Sequence, residues 1–126
     1  MVSLRPDERA ALDDLLHFLR GRFGARLRGV RLFGSRARGE GHEGSDLDVL
    51  VEVAELDGRE RMEVGAFTGD LLTAHRVIVG ALALSSAEVA NLRTLERRLI
   101  REIDRDGIDV LGEAPTAPPA TDGARR

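Results

Sequence analysis

Asp46 and Asp48 stand two residues apart in the alternating run SDLDVLVEV, and ten residues separate Asp46 from the pair Gly34-Ser35. On a strand, side chains alternate between faces, so Leu47, Val49, Val51 and Val53 can enter a core while Asp46, Asp48, Leu50 and Glu52 face the other way. Two carboxylates so placed repel each other, and the repulsion invites a divalent cation. Ligation by carboxylates alone favours magnesium or manganese over zinc. An isolated Asp-x-Asp is common, and the turn before it gives this one its weight. Gly34 has no side chain to keep a phosphate from main-chain amides, Ser35 adds a hydroxyl, and a first helical turn in SRARG would aim further amides at an anion. Arg36 and Arg38 add positive charge. The chemistry these residues suit is the handling of a phosphorylated substrate between main-chain amides and metal-bearing carboxylates.

Other phosphate and metal motifs fail on context. Gly39 to Gly44, GEGHEG, fits G-x-G-x-x-G but precedes a strand, whereas the dinucleotide fingerprint follows one and opens a helix. Glu40 stands where a P-loop needs lysine, and Leu50 stands at the third ligand position of an EF-hand. His17, His42 and His75 are scattered without ligand spacing, which makes them surface or packing residues.

The elements that must position the carboxylates can be read from periodicity. Pro6 and the acids beside it suit a helix start, and Leu12, Leu15, Leu16, Leu19 and Phe23 recur at helical spacing up to Gly24. RGVRLF, ended by Gly34, reads as a first strand and SDLDVLVEV as a second. After the turn at Asp57-Gly58 a weaker helical pattern runs from Arg59 to about Ala74. HRVIVGALAL reads as a third strand with a bulge at Gly80. Ser85 to Glu88 form a capping box that opens a helix, whose stripe of Val89, Leu92, Leu95, Leu99 and Ile103 carries it to Gly107. IDVL is a short edge strand, and residues 113–126, rich in Pro and Ala without periodicity, read as a disordered tail. The pattern predicts one α/β (α+β) domain over residues 1–112, a mixed sheet flanked by helices, with the site at the open edge of the sheet between the Gly-Ser turn and the second strand.

Composition narrows the function. A chain of 126 residues, 42% hydrophobic and 33% charged, suits a single globular domain, and no apolar run reaches the roughly 20 residues that span a bilayer. With no cysteine and no signal-peptide start, a cytoplasmic location is expected. All nineteen basic residues are arginine; seven lie between Leu15 and Gly39 without an acid, whereas Glu40 to Asp70 holds ten acids against Arg59 and Arg61. A polyanion meeting an acidic metal site would use both halves. Four Phe, no Trp, no Tyr and a net charge of −3 argue against direct nucleic-acid binding.

The whole pattern, GSRARG…SDLDVLV, resembles the signature of the polymerase-beta-like nucleotidyltransferases, and is most similar to their smallest members, the minimal nucleotidyltransferases. The resemblance is specific over Val30 to Val53. It implies transfer of AMP from ATP to a hydroxyl on a second substrate with loss of pyrophosphate, Asp46 and Asp48 binding Mg2+ (or Mn2+) and Gly34, Ser35 and Arg36 holding the nucleotide. It also implies a protein partner, since many minimal nucleotidyltransferases are encoded with a HEPN-type toxin and serve as its antitoxin, some by attaching AMP. Active members of the family carry a third carboxylate on a later strand. Here the corresponding segment is RVIVGALALS, with Ile78 or Gly80 near that place and no acid on either face. Glu52 lies two pleats beyond the aspartates, too far to complete the same shell, which leaves Asp70 or a partner's residue as substitutes. The same gap supports an alternative: a weakened nucleotidyltransferase fold that neutralises its partner by contact alone.

Overall fold

A computed structural model describes residues 4–34, 46–95 and 97–111. Helix α1 spans Pro6–Phe23, with Pro6 at its first position and the carboxylate of Glu8 accepting from the Arg5 N–H at 2.8 Å. Ala11, Leu12, Leu15, Leu16, Leu19 and Phe23 form its buried stripe, and Gly24, at φ +56°, closes it. Strand β1, Leu27–Phe33, follows; β2 is Leu47–Val53; helix α2 is Gly58–His75; β3 is Val79–Ser85. Helices α3, Ser86–Thr94, and α4, Arg98–Asp106, precede the two-residue strand β4, Ile108–Asp109.

The strands form one sheet in the order β3-β2-β1-β4. The β1–β2 and β1–β4 pairs are antiparallel and β2–β3 is parallel, so α2 is the crossover that returns the chain to β3. Leu47, Val49, Val51 and Val53 point into a core with Val30 and Leu32, closed by α1 and α2. Phe18 of α1 and Phe67 of α2 stack with ring centroids 4.3 Å apart. Leu50, on the opposite face, packs with Val89, Ile100 and Ile103 of α3 and α4 and with Phe33, Leu82 and Leu84. The sheet is thus covered on both faces, and the face that carries Asp48 is covered only where Leu50 needs it.

Three expected elements differ. The third strand, expected from His75, begins at Val79, because α2 runs on through His75. The helix expected from Ser86 to Gly107 is two helices, broken at Leu95–Arg97. A straight helix of that length would run about 30 Å, at ~1.5 Å per residue, past the small apolar patch around Leu50. The break folds Ile100 and Ile103 back over that patch instead, and Leu95 and Leu99 of the expected stripe stay 54% and 42% exposed. Gly80 is not a bulge either: β2 and β3 pair without a register shift, with Asp48 opposite Gly80. The capping box at Ser85 and Glu88 forms as read, with Ser85 N–H donating to Glu88 at 2.8 Å and Glu88 N–H to the Ser85 hydroxyl at 3.1 Å. A second box, Asp57 with Glu60, opens α2. The expected helical turn in SRARG and the tail at 113–126 lie outside the described residues.

Candidate active site

The β1–β2 pairing sets Phe33 opposite Asp48, so the turn that begins at Gly34 starts beside the Asp48 carboxylate. Gly34 has φ +78°, a conformation that side chains disfavour, and a β-carbon there would lie 2.5 Å from Asp48 Oδ2. Glycine is demanded twice at this position, by backbone conformation and by the carboxylate packed on it. On the other side, a β-carbon at Gly80 would lie 3.4 Å from Asp48 Oδ1. Asp48 therefore stands in a slot walled by two glycines, one just after β1 and one on β3, with backbone close on both sides.

Asp46, just before β2, is exposed, and Asp48 is half-buried. Burial raises the pKa of Asp48 above the usual carboxylate value, and the nearby charge of Asp46 raises it further. A cation placed against these carboxylates would relieve both effects. Asp48 and Gly34 come together at one end of the sheet, and Asp46, just before β2, lies near enough for its charge to act on Asp48. That end is formed by the central strands β1 and β2, one strand in from the β3 edge, rather than by an edge as expected. Ser35 and Arg36 lie outside the described residues.

Other residues weighed from the sequence are placed elsewhere. Glu52 sits at the far end of the same face, in a separate cavity of about 190 Å³ that it lines with Arg28, Arg31, Arg93 and Asp109. Asp70 is exposed on α2, in the layer behind the sheet, and so cannot stand in beside Asp48. On β3 the residues facing the Asp48 side are Gly80, Leu82 and Leu84, with Ile78 just before the strand, and among the described residues no group of three His, Cys, Asp or Glu is arranged to hold a metal. His75 is 2.7 Å from Asp14, which makes it a surface pair, and His17 is exposed. Part of the arginine-rich stretch is used internally: Arg26 donates to Glu60 at 2.6 Å, and Arg22 pairs with Glu63 at 2.7 Å. The Arg26 hydrogen bond, the Asp57 N–H and the charge of Arg22 draw the Glu60 carboxyl down to about 2.

Sequence reasoning missed Gly80 as a wall of the slot. The available signal was the alternation of the third strand, which puts Gly80 and the aspartates on one face once β3 is paired in parallel with β2.

The model of the nucleotidyltransferase domain matches residues 12–106. The chain belongs to the nucleotidyltransferase domain family. Within it, the chain is similar to a solved structure described as a minimal nucleotidyltransferase, at 33% identity and TM-score 0.52, covering 79% of this chain and 89% of that one. It is also similar to a toxin-antitoxin chain crystallised with AMP-PNP, at 23% identity and TM-score 0.53 over 77% of this chain and 70% of that one. A third similar structure comes from a complex of a tri-AMPylated Shewanella oneidensis HEPN toxin with its MNT antitoxin, at 22% identity and TM-score 0.50 over 80% and 69% of the two chains. The last two likenesses speak for the fold. No curated protein matches the chain. In this nucleotidyltransferase-family chain, no helix among the described residues is long and apolar enough to cross a membrane.

Proposed function

We propose that this chain transfers AMP from ATP to a hydroxyl group on a partner protein, with Mg2+ or Mn2+, and that the partner is a HEPN-type toxin for which the chain is the cytoplasmic antitoxin. The observation that carries this reading is the seating of the Asp48 carboxylate against Gly34, the glycine that ends β1 and opens the Gly-Ser pair of the family resemblance. The donor set suits a hard divalent cation, since Asp48 is a half-buried carboxylate set between two glycines and raised in pKa by burial and by the charge of the nearby, exposed Asp46. Asp46 and Asp48 would hold that cation. When bound, it would neutralise charge developing on the transferring phosphoryl group and the leaving pyrophosphate.

The protein's own part is positioning. The turn from Gly34, with Ser35 and Arg36, holds the phosphates so that the acceptor oxygen attacks the α-phosphorus in line. The new oxygen–phosphorus bond forms as the bond to the β-phosphate bridge breaks, pyrophosphate leaves, and the proton of the hydroxyl passes to solvent water. Labelled ATP, magnesium and the product of the neighbouring gene test the reading: label should pass to that protein, and Asp46→Asn with Asp48→Asn should abolish transfer. Transfer unaffected by the double substitution would reject it.

A second reading has its own support. Gly80 lies opposite Asp48 on β3, and Ile78 or Gly80 standing near the place where the resemblance implies a third carboxylate favours a contact-only antitoxin that binds nucleotide without turnover. Calorimetry showing ATP binding and a tight complex indifferent to Asp48→Asn, without transferred label, would select it.

A further inference from the structure

Among the described residues strand β3 is an edge of the sheet, and the half of that edge nearer Asp48 carries no neighbouring strand. In a parallel pair, successive residues turn their amide and carbonyl alternately toward and away from the neighbouring strand. Leu47 N–H donates to the Ile78 carbonyl at 3.0 Å, and the register then runs unbroken from Leu47 opposite Val79 to Val53 opposite Ser85. Ile78, Gly80, Leu82 and Leu84 therefore address β2. Val79, Ala81, Ala83 and Ser85 turn their main-chain groups outward.

The far half of this outward row is occupied. Arg61 of α2 donates to the Ala83 carbonyl, and its guanidinium is held 3.1 Å from Glu88. Ser85 N–H donates to the same Glu88 carboxylate. The near half is different: among the described residues no hydrogen bond reaches the outward groups of Val79 and Ala81. Nor does VGALAL carry the charge, proline or bulge with which proteins usually blunt an exposed edge.

This open half coincides with the site. Strands in a sheet lie about 4.8 Å apart, so a strand added outside β3 would run two spacings, roughly 10 Å, from β2 and Asp48. On the site face, the residue standing between them is Gly80, which has no side chain. Ile78, 50% exposed, offers an apolar contact at the same end.

We propose that the Val79–Ala81 edge docks the acceptor: a segment of the partner protein binds in extended form as a fifth strand and leans a hydroxyl-bearing side chain across Gly80 toward Asp48. The inference rests on the AMP-transfer reading and names how the acceptor is presented. It also gives Gly80 a role, because a larger residue there would stand in the acceptor's path. Main-chain pairing supplies affinity with little demand on the partner's sequence.

Ala81→Pro tests the edge. It removes an outward N–H and leaves the bonds to β2 in place, a position where a strand accepts proline. The acceptor KM should rise about tenfold, as loss of main-chain pairing entails, with kcat and the ATP KM nearly unchanged. Hydrogen exchange on the unaltered chain gives a second readout that does not depend on the variant folding: the Val79 and Ala81 amides should exchange quickly alone and slowly in complex with the partner and a non-hydrolysable ATP analogue. Labelled AMP transferred with no slowing at these amides would overturn the edge and leave the AMP-transfer reading standing. No transfer and no complex from the unaltered chain would overturn that reading, and the edge with it.

Discussion

Oδ2 of Asp48 occupies space that a side chain on Gly34 would need, 2.5 Å from where its β-carbon would be. The contact links the end of β1 to the carboxylate on β2 and explains why the turn after β1 begins with glycine. Gly34→Ala should therefore combine a backbone cost of about 1–2 kcal/mol for the left-handed conformation with displacement of the carboxylate. Urea denaturation should show the combined loss, and in an Asp48→Gly background only the backbone part should remain. Equal losses in both backgrounds would mean that the two residues do not interact.

Gly80 faces the same carboxylate with more room. Gly80→Asp would place a third acid beside Asp48 and Asp46. Without divalent ions the variant should melt below the original protein through charge repulsion; with millimolar Mg2+ or Mn2+ it should gain more in melting temperature than the original, because binding to the folded state stabilises by mass action. The same metal dependence in both proteins would argue against a cation at this slot. By the edge-docking proposal, transfer to the protein acceptor should fall even as metal affinity rises.

Leu50 fastens α3 and α4 to the site face of the sheet and is only 3% exposed. Leu50→Ala should cost about 2–5 kcal/mol in chemical denaturation, the range for truncating a buried leucine. Because Leu95 and Leu99 lie outside that packing, alanine at either should cost well under 1 kcal/mol.

Glu60 caps α2 and accepts from Arg26, and this holds its carboxyl at about 2 against an ordinary value of 4.5. A lowered pKa means stability that is present above the unfolded value and lost as pH falls from about 4.5 toward about 2. Glu60→Gln should lower the melting temperature at neutral pH, and the gap from the original protein should close across that acid window. A gap that stays constant with pH would assign the effect to the cap geometry alone.

Much of this architecture is written in local pattern. The stripe from Leu12 to Phe23 yields α1, and alternation in SDLDVLVEV alone puts both aspartates on the face opposite the valines. Ser85 and Glu88 mark a helix start because a capping box involves neighbours in the chain. The spacing of Gly34-Ser35 to Asp46 and Asp48 suffices for the family resemblance. Strand pairing decided the rest. Only the register of β2 against β1 and β3 brings Gly34 and Gly80, distant along the chain, to either side of Asp48, and periodicity within one segment says nothing about register between segments. The helix after β3 breaks for a comparable reason: its own stripe would continue, but the apolar surface available on that face of the sheet is small, and burial of Ile100 and Ile103 outweighs helical continuity. Arg22 and Arg26 find Glu60 and Glu63 because α2 returns across the sheet beside α1, so a charge asymmetry that reads along the sequence as a surface for polyanions is in part an internal set of ion pairs.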